Sequence, residues 1–116
     1  MAHLIYKILT ADQWRAFETT GSFKGAPIDL ADGYIHFSTA AQAAETAAKH
    51  FAGQSGLMLA AVDGDALGDA LKYEVSRGGA LFPHFYGVLD MAHVMWCKPM
   101  PLGNDHLHVL PIEDTP

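Results

Sequence analysis

The pattern of apolar and polar positions divides the chain into short strands and helices that follow one another closely. Leu4–Leu9 and Leu57–Val62 are mostly apolar runs, and the second is apolar at every position. A continuous apolar run of this length predicts a central strand that is buried on both faces. Leu71–Val75 alternates in polarity, which predicts a half-buried strand. Further strands are predicted at Val94–Cys97 and, as a last edge strand, at His106–Leu110.

A capping box predicts the first helix. Thr10 and Gln13 have the spacing at which each side chain accepts a hydrogen bond from the other residue's backbone N–H group. The helix is expected to run from Ala11 to about Thr19, and Gly21 is expected to end it. The stretch from Ser22 to Gly33 is rich in glycine, proline and aspartate, and it predicts a loop.

A histidine inside an apolar strand marks the next segment. Gly33–Thr39 predicts a short buried strand that carries His36, and an imidazole is costly to bury unless it is hydrogen-bonded. Thr39 and Gln42 then repeat the capping-box spacing, ahead of an alanine-rich helix expected from Ala40 to about His50 and stopped by Gly53. Such a strand-to-helix junction presents free backbone N–H groups, which suit an anion such as a phosphate.

A second histidine lies in an aromatic setting, the segment Phe82–Gly87. Pro83 fixes one backbone angle beside His84 and restricts the residue before it, so the imidazole is held rigidly. We expect His36 and His84 to line one small-molecule pocket. The alternative is that each histidine is structural and is hydrogen-bonded within the core.

Length and composition limit the fold and the classes of function. The chain has 116 residues, half of them apolar, which predicts one domain, residues 1–116. Predicted strands outnumber helices, which favours an α+β fold over a doubly wound sheet. A net charge of −6 without a basic cluster argues against nucleic-acid and membrane partners. A single cysteine, no secretion signal and no membrane-length apolar run predict a cytoplasmic location.

Several of these segments together resemble a known bacterial family, catalogued as domain of unknown function nine-five-two. The resemblance implies an ADP-ribosyltransferase-like fold: a split, bent and mostly antiparallel sheet with flanking helices. Enzymes of that fold bind NAD in a cleft, and the most similar branch includes RNA 2′-phosphotransferases. The segments that carry the resemblance are Ile5–Ile8 with Trp14, Gly33–Thr39 with Gln42, Thr46 and Ala47, Leu71–Glu74, and Phe82–Gly87.

The resemblance implies only part of a transferase site. The phosphotransferases carry one histidine on the first strand and a second in a His-x-Ser pattern. His36 with Ser38 matches the second motif, but Lys7 stands at the first position, where it would hold a phosphate as a flexible point charge. Glu74 is the one candidate for the catalytic glutamate of classical ADP-ribosyltransferases. The expected site has His36, His84 and Glu74 as catalytic residues and Lys7, Ser38, Thr39 and Tyr86 as ligand-binding residues.

Three functions of different classes remain open. The first is a transferase-like enzyme with a nucleotide-like substrate, with NAD as the candidate cofactor and no metal. The second is a non-catalytic module with a degenerate cleft, and the third is a structural protein whose histidine motifs only hold the fold together. The first two require that the rings of His36 and His84 face a common cleft.

Overall fold

The computed structural model describes residues 3–112, apart from the side chain of residue 77. Within this range, eight strands and three α-helices alternate with short 3₁₀ turns. The strands are β1 (Leu4–Thr10), β2 (Ser22–Phe23), β3 (Ile35–His36), β4 (Leu57–Asp63), β5 (Leu71–Val75), β6 (Leu81–Phe85), β7 (Leu89–Asp90) and β8 (Val94–Pro99). The helices are α1 (Ala11–Thr20), α2 (Pro27–Asp32) and α3 (Ala40–His50). The predicted single α+β domain is therefore confirmed.

All strand pairs in the described range are antiparallel and form three small sheets. The first has the order β1-β4-β8, the second pairs β2 with β7, and the third has the order β3-β6-β5. A bridge between Tyr6 and Ser38 joins the first sheet to the third, with N–H···O distances of 2.8 and 2.9 Å. The His36 segment is thereby fixed against the middle of β1.

The predicted strands at the centre of the fold are confirmed, and so is the first helix. β4 is almost completely buried between β1 and β8, as its unbroken apolar run predicted. At the start of α1, the Gln13 N–H group donates to the Thr10 hydroxyl and the Thr10 N–H group donates to Gln13 Oε1. Gly21 ends this helix with a φ of 79°, a left-handed conformation that glycine adopts without strain.

The predicted loop from Ser22 to Gly33 is wrong. It contains β2, which pairs with β7, and the six-residue helix α2 with Pro27 at its first turn. Proline is favoured there because the first helical N–H group needs no intrahelical partner. The prediction failed because it took proline, glycine and aspartate as loop residues, whereas here they start and end a helix.

The predicted edge strand His106–Leu110 is also wrong. In its place the described chain has one isolated bridge, between Leu102 and His108, and His106 has a positive φ of 63° that no strand residue adopts. One strand boundary also differs from that expected, because β3 covers only two residues of the predicted strand. The third helix runs from Ala40 to His50, as predicted.

Two apolar clusters lie on opposite faces of the β1–β4 pair. The first cluster surrounds Phe17, Ile35 and Leu89, and Trp14 packs against it. The second surrounds Tyr6, Leu59 and Met100, and Trp96 packs against it. Within residues 3–112, the helices are too short or too polar to span a membrane.

Candidate functional site

His36 and His84 are brought together by strand pairing. They are register partners in the β3–β6 ladder, and their ring centroids lie 5.5 Å apart. Both side chains line one cavity of about 620 Å³. The geometric condition for a shared pocket is therefore met, although the two residues lie far apart in the sequence.

The cavity combines an apolar wall with basic and hydroxyl side chains. Its volume lies within the range of about 300–1,000 Å³ that is usual for small-molecule pockets. Lys7 and Ser38, two of the residues expected to bind a ligand, line it. Its other polar lining residues are His36, Thr46, His50, Ser76 and His84, and its apolar ones are Tyr6, Ile8, Ile28, Phe37, Phe51 and Phe82.

A buried carboxylate, Asp29 on α2, organises the polar side of the cavity. It is 1% exposed, and Lys7 Nζ lies 2.9 Å from its Oδ2 and 3.1 Å from its Oδ1. The backbone N–H groups of Ala26 and His36 also donate to it, at 2.8 and 3.1 Å. The carboxylate therefore ties together β1, the start of α2 and β3.

The charges of this cluster stabilise one another. Burial by itself would raise the pKa of Asp29, but the hydrogen bond from His36 and the positive charge of Lys7 outweigh burial and lower that pKa to about 2. Burial lowers the pKa of Lys7, and the nearby Asp29 charge opposes that change. Lys7 is consequently engaged by Asp29 and is not a free cation for a ligand.

Both nitrogens of the His36 ring face carboxylates. Nδ1 lies 2.6 Å from Asp29 Oδ1, and Nε2 lies 2.9 Å from Asp32 Oδ2. Because a carboxylate only accepts hydrogen bonds, both contacts are hydrogen bonds only when the ring carries two protons. The polar edges of His36 are thus used within the protein.

His84 differs from His36 because only one of its ring nitrogens is engaged. Nδ1 lies 2.9 Å from Glu74 Oε1, and the Tyr86 hydroxyl donates to that same oxygen at 2.6 Å. With a proton on Nδ1, the Nε2 atom of neutral His84 is a hydrogen-bond acceptor. In the described part of the chain, no protein group is hydrogen-bonded to Nε2, so this nitrogen remains available as an acceptor.

Glu74 and Tyr86 support His84 from outside the cavity. The Tyr86 hydroxyl and the His84 ring lower the pKa of Glu74, and the hydrogen bond to Glu74 raises the pKa of Tyr86 to about 12. Glu74 therefore stays ionised and Tyr86 stays protonated at neutral pH. This arrangement orients the imidazole and favours its Nδ1–H tautomer.

Tyr34 packs between the two histidines. Its ring stacks on His84 with a centroid distance of 4.2 Å and an interplanar angle of 20°, and it lies 4.6 Å from the His36 ring. Burial and the nearby Asp32 and Glu74 charges raise the pKa of the Tyr34 phenol. The two imidazoles are thus held in place by an aromatic contact as well as by carboxylates.

Comparison with known proteins identifies a family for this chain. A family model described as a protein of unknown function, DUF952, matches residues 8–97. The chain belongs to the DUF952 family. The family prediction is thereby confirmed. A comparison with curated protein sequences finds no match.

Solved structures of one bacterial protein are similar to this DUF952 chain. The crystal structure of CC0527 from Caulobacter crescentus is 48% identical, with 91% of this chain and 93% of that chain covered and a TM-score of 0.88. A crystal structure of a double mutant is 47% identical with the same coverages and a TM-score of 0.87. The solution NMR structure of CC0527 is 48% identical, with 90% of each chain covered and a TM-score of 0.83.

The remaining predicted site residues of the DUF952 chain differ in whether they line the cavity. Ser38 is buried and its hydroxyl lies 3.0 Å from the Thr46 hydroxyl. Thr39 occupies the N-cap of α3. The residues lining the cavity, all in the described range, include neither Thr39 nor Glu74 nor Tyr86.

His108 and Cys97 do not line the cavity. Within residues 3–112, no cluster of three or more His, Cys, Asp and Glu side chains could hold a metal ion. His108 Nε2 lies 2.7 Å from the Gln54 carbonyl oxygen, so this ring nitrogen is engaged within the protein. Burial raises the pKa of the Cys97 thiol to about 12, so it remains protonated and weakly reactive.

Sequence reasoning missed Asp29, Asp32 and Tyr34. Local signals existed for part of this set. Proline at position 27 with an acid two residues later is typical of a helix start, and Tyr34 lies two residues before His36, as same-face strand residues do. The sequence carried no signal that Asp29 would be buried against a lysine 22 residues earlier.

Proposed function

We propose that this chain binds a nucleotide-like small molecule of the NAD or ADP-ribose type in the cavity between His36 and His84. One observation carries the proposal. Two histidines from separate sequence motifs line the same cavity, and Nε2 of His84 has no hydrogen-bond partner among the described residues. A polar atom left without a protein partner in a largely apolar pocket is typical of a ligand-binding position.

The residues that line the cavity admit a ligand with an anionic part. The protein carries a net charge of −6, yet the residues that line the cavity, all described, include one lysine, three histidines and no acid. A phosphate would be repelled by the protein surface in general but not by this lining. The aromatic residues of the wall, among them Phe37 and Phe82, offer a surface for a planar ring.

The resemblance to ADP-ribosyltransferase-like folds supports the choice of nucleotides. Its expected split sheet agrees with two three-stranded antiparallel sheets joined at the Tyr6–Ser38 bridge. In this proposal His84 Nε2 accepts a hydrogen bond from a ribose hydroxyl, and Ser38 donates to a phosphate oxygen. Glu74 and Tyr86 act through His84, and Asp29 holds the ring of His36.

The same geometry gives His84 the means to act as a general base. Proton uptake at Nε2 would create an imidazolium that Glu74 stabilises through Nδ1. Transferase-type chemistry is therefore the catalytic version of this proposal, with a ribose or water hydroxyl as the group that loses the proton. The engagement of Lys7 by Asp29 favours the non-catalytic version, because it removes a free cation that would stabilise a leaving phosphate.

Calorimetric titration tests the proposal directly. NAD, ADP-ribose, AMP and inorganic phosphate are titrated into the protein well below its melting temperature, and a thermal melt is recorded with each ligand. We expect NAD or ADP-ribose to bind and to raise the melting temperature, because a ligand that binds only the native state stabilises it by mass action. Release of nicotinamide from NAD distinguishes the catalytic version from binding alone.

Matched variants test whether the ligand binds in the cavity. His84→Ala and His36→Ala should abolish binding, whereas His106→Asn, which changes an exposed histidine outside the cavity lining, should retain it. Asparagine is suitable at position 106 because it tolerates the positive φ found there. Absence of any heat or melting shift at millimolar ligand concentration would rule out the nucleotide proposal.

A further inference from the structure

β5 lies at the edge of the third sheet. It pairs with β6 on one side, and no strand in the described part of the chain pairs with its other side. An edge strand of this kind exposes a row of backbone donors and acceptors to solvent or to another strand.

The register shows which backbone groups face outward. Ala70 O accepts a hydrogen bond from the Tyr86 N–H group, and the Ser76 N–H group donates to Ala80 O, so residues 70 and 76 face the β6 side. Tyr73 is opposite Pro83, which has no N–H group and whose carbonyl accepts from Phe37 on the β3 side. Because direction alternates along a strand, the groups of residues 71, 73 and 75 point away from β6.

The side chains of β5 are complementary to a second copy of the same strand. When two antiparallel copies are centred on Tyr73, Lys72 lies opposite Glu74 of the second copy and Leu71 lies opposite its Val75. Opposite charges and apolar pairs in these positions stabilise neighbouring strands. Both Glu74 hydrogen bonds to His84 and Tyr86 use Oε1, which leaves Oε2 for the lysine.

Exposed apolar side chains continue the same surface. Tyr73, Val75 and Leu81 are 42%, 70% and 52% exposed, and Val75 and Leu81 are register partners at one end of the β5–β6 hairpin. A contiguous apolar group of this kind marks an interaction surface.

We propose that the chain forms a symmetric dimer through β5, with the two strands antiparallel about Tyr73. The third sheets of both copies then form one six-stranded sheet in the order β3-β6-β5-β5-β6-β3, with an isologous interface. The dimer also places Lys72 of the second copy beside Glu74, the carboxylate that orients His84. The inference stands independently of which ligand the cavity holds.

Sedimentation and light scattering of the full chain over a wide concentration range test the dimer. We expect a species with twice the 12.5 kDa mass of one chain. Lys72→Glu should raise the dimer dissociation constant at least about tenfold, because symmetry places two like-charged pairs in the interface. Lys72→Glu/Glu74→Lys restores opposite charges and should restore the dimer, with circular dichroism to verify the fold of each variant.

Lys98→Glu is the matched control, since it makes the same charge reversal on β8, another strand at the edge of its sheet. It should leave the dimer intact. A monomeric wild-type protein at millimolar concentration would overturn the proposal. Dissociation by Lys98→Glu with no effect of Lys72→Glu would overturn it as well, and would move the interface to β8.

Discussion

Asp29 organises the polar side of the cavity through contacts that the sequence did not indicate. It is buried, accepts hydrogen bonds from two backbone N–H groups, and faces both Lys7 and the His36 ring. Removing one partner of a buried charge with this many contacts strongly destabilises the fold, because the remaining charges are left uncompensated. The polar edge of the cavity therefore depends on one carboxylate that does not itself line it.

We predict that Asp29 makes stability depend on acid pH. Its pKa of about 2 in the folded protein lies below the ordinary value of 3.8, so its contribution is full above about pH 4 and is lost as pH falls towards 2. The contribution is about 2 kcal/mol. Urea unfolding measured from pH 6 to pH 3 should show a steeper loss of unfolding free energy for wild type than for Asp29→Asn.

Asp12→Asn provides the control for this titration. Asp12 is exposed and pairs with Arg15 on the surface of α1, and an exposed pair contributes little to stability. This variant should keep the wild-type dependence on pH. An Asp29→Asn protein with the wild-type acid slope would contradict the assignment.

At the scale of elements, the two similar capping sequences form different contacts. Thr10 and Gln13 form both bonds of the predicted box. In α3 the Gln42 N–H group donates to the Thr39 backbone carbonyl, while Gln42 Oε1 accepts from the Thr39 N–H group and Gln42 Nε2 donates to Leu81 O. Gln42 thus attaches α3 to β6, a role that the capping motif alone did not indicate.

We predict that the threonine contributes more to stability in the first cap, and the glutamine more in the second. Thr10→Ala removes a hydroxyl acceptor and should lower the free energy of unfolding by about 1 kcal/mol, whereas Thr39→Ala should lower it less. Gln42→Ala should cost more than Gln13→Ala, because it also leaves the Leu81 carbonyl without its partner. Urea unfolding of the four variants measures these differences, and equal effects at Thr10 and Thr39 would contradict them.

At the scale of the whole molecule, the sheets and the two apolar clusters form one connected body. The clusters share the β1–β4 pair, and the Tyr6–Ser38 bridge fixes the His36 segment to that pair. Domains of this size usually unfold in a single cooperative step. The cavity lies at this junction, since its walls come from β1, β3, α3 and β6.

We predict that the two clusters unfold together. Trp14 packs against the first cluster and Trp96 against the second, so Trp14→Phe and Trp96→Phe each leave one fluorescent reporter. Within each variant, fluorescence and far-ultraviolet circular dichroism should give coincident urea transitions. A fluorescence midpoint that differs from the circular dichroism midpoint in either variant would show that the clusters unfold separately.

Much of the fold was accessible from the sequence because its signals are local. The apolar run of β4, the alternation of β5 and the capping box of α1 each act within a few residues. The same reasoning failed at α2 and at positions 106–110, where short-range composition is ambiguous between a loop and an ordered element. The placement of His36 and His84 in one pocket was anticipated from their unusual surroundings and from the family resemblance.

The sequence by itself determined the α+β class, the central strands, the first and third helices, and the two histidine motifs. Only the tertiary structure decided how those histidines differ. In His36 both ring nitrogens face carboxylates, those of Asp29 and Asp32. In His84 only Nδ1 is engaged, by Glu74, and Nε2 has no hydrogen-bond partner among the described residues. The reason is physical: local patterns follow from neighbouring residues, but a hydrogen-bond partner across the fold is fixed only when strand register and helix packing bring the two groups together.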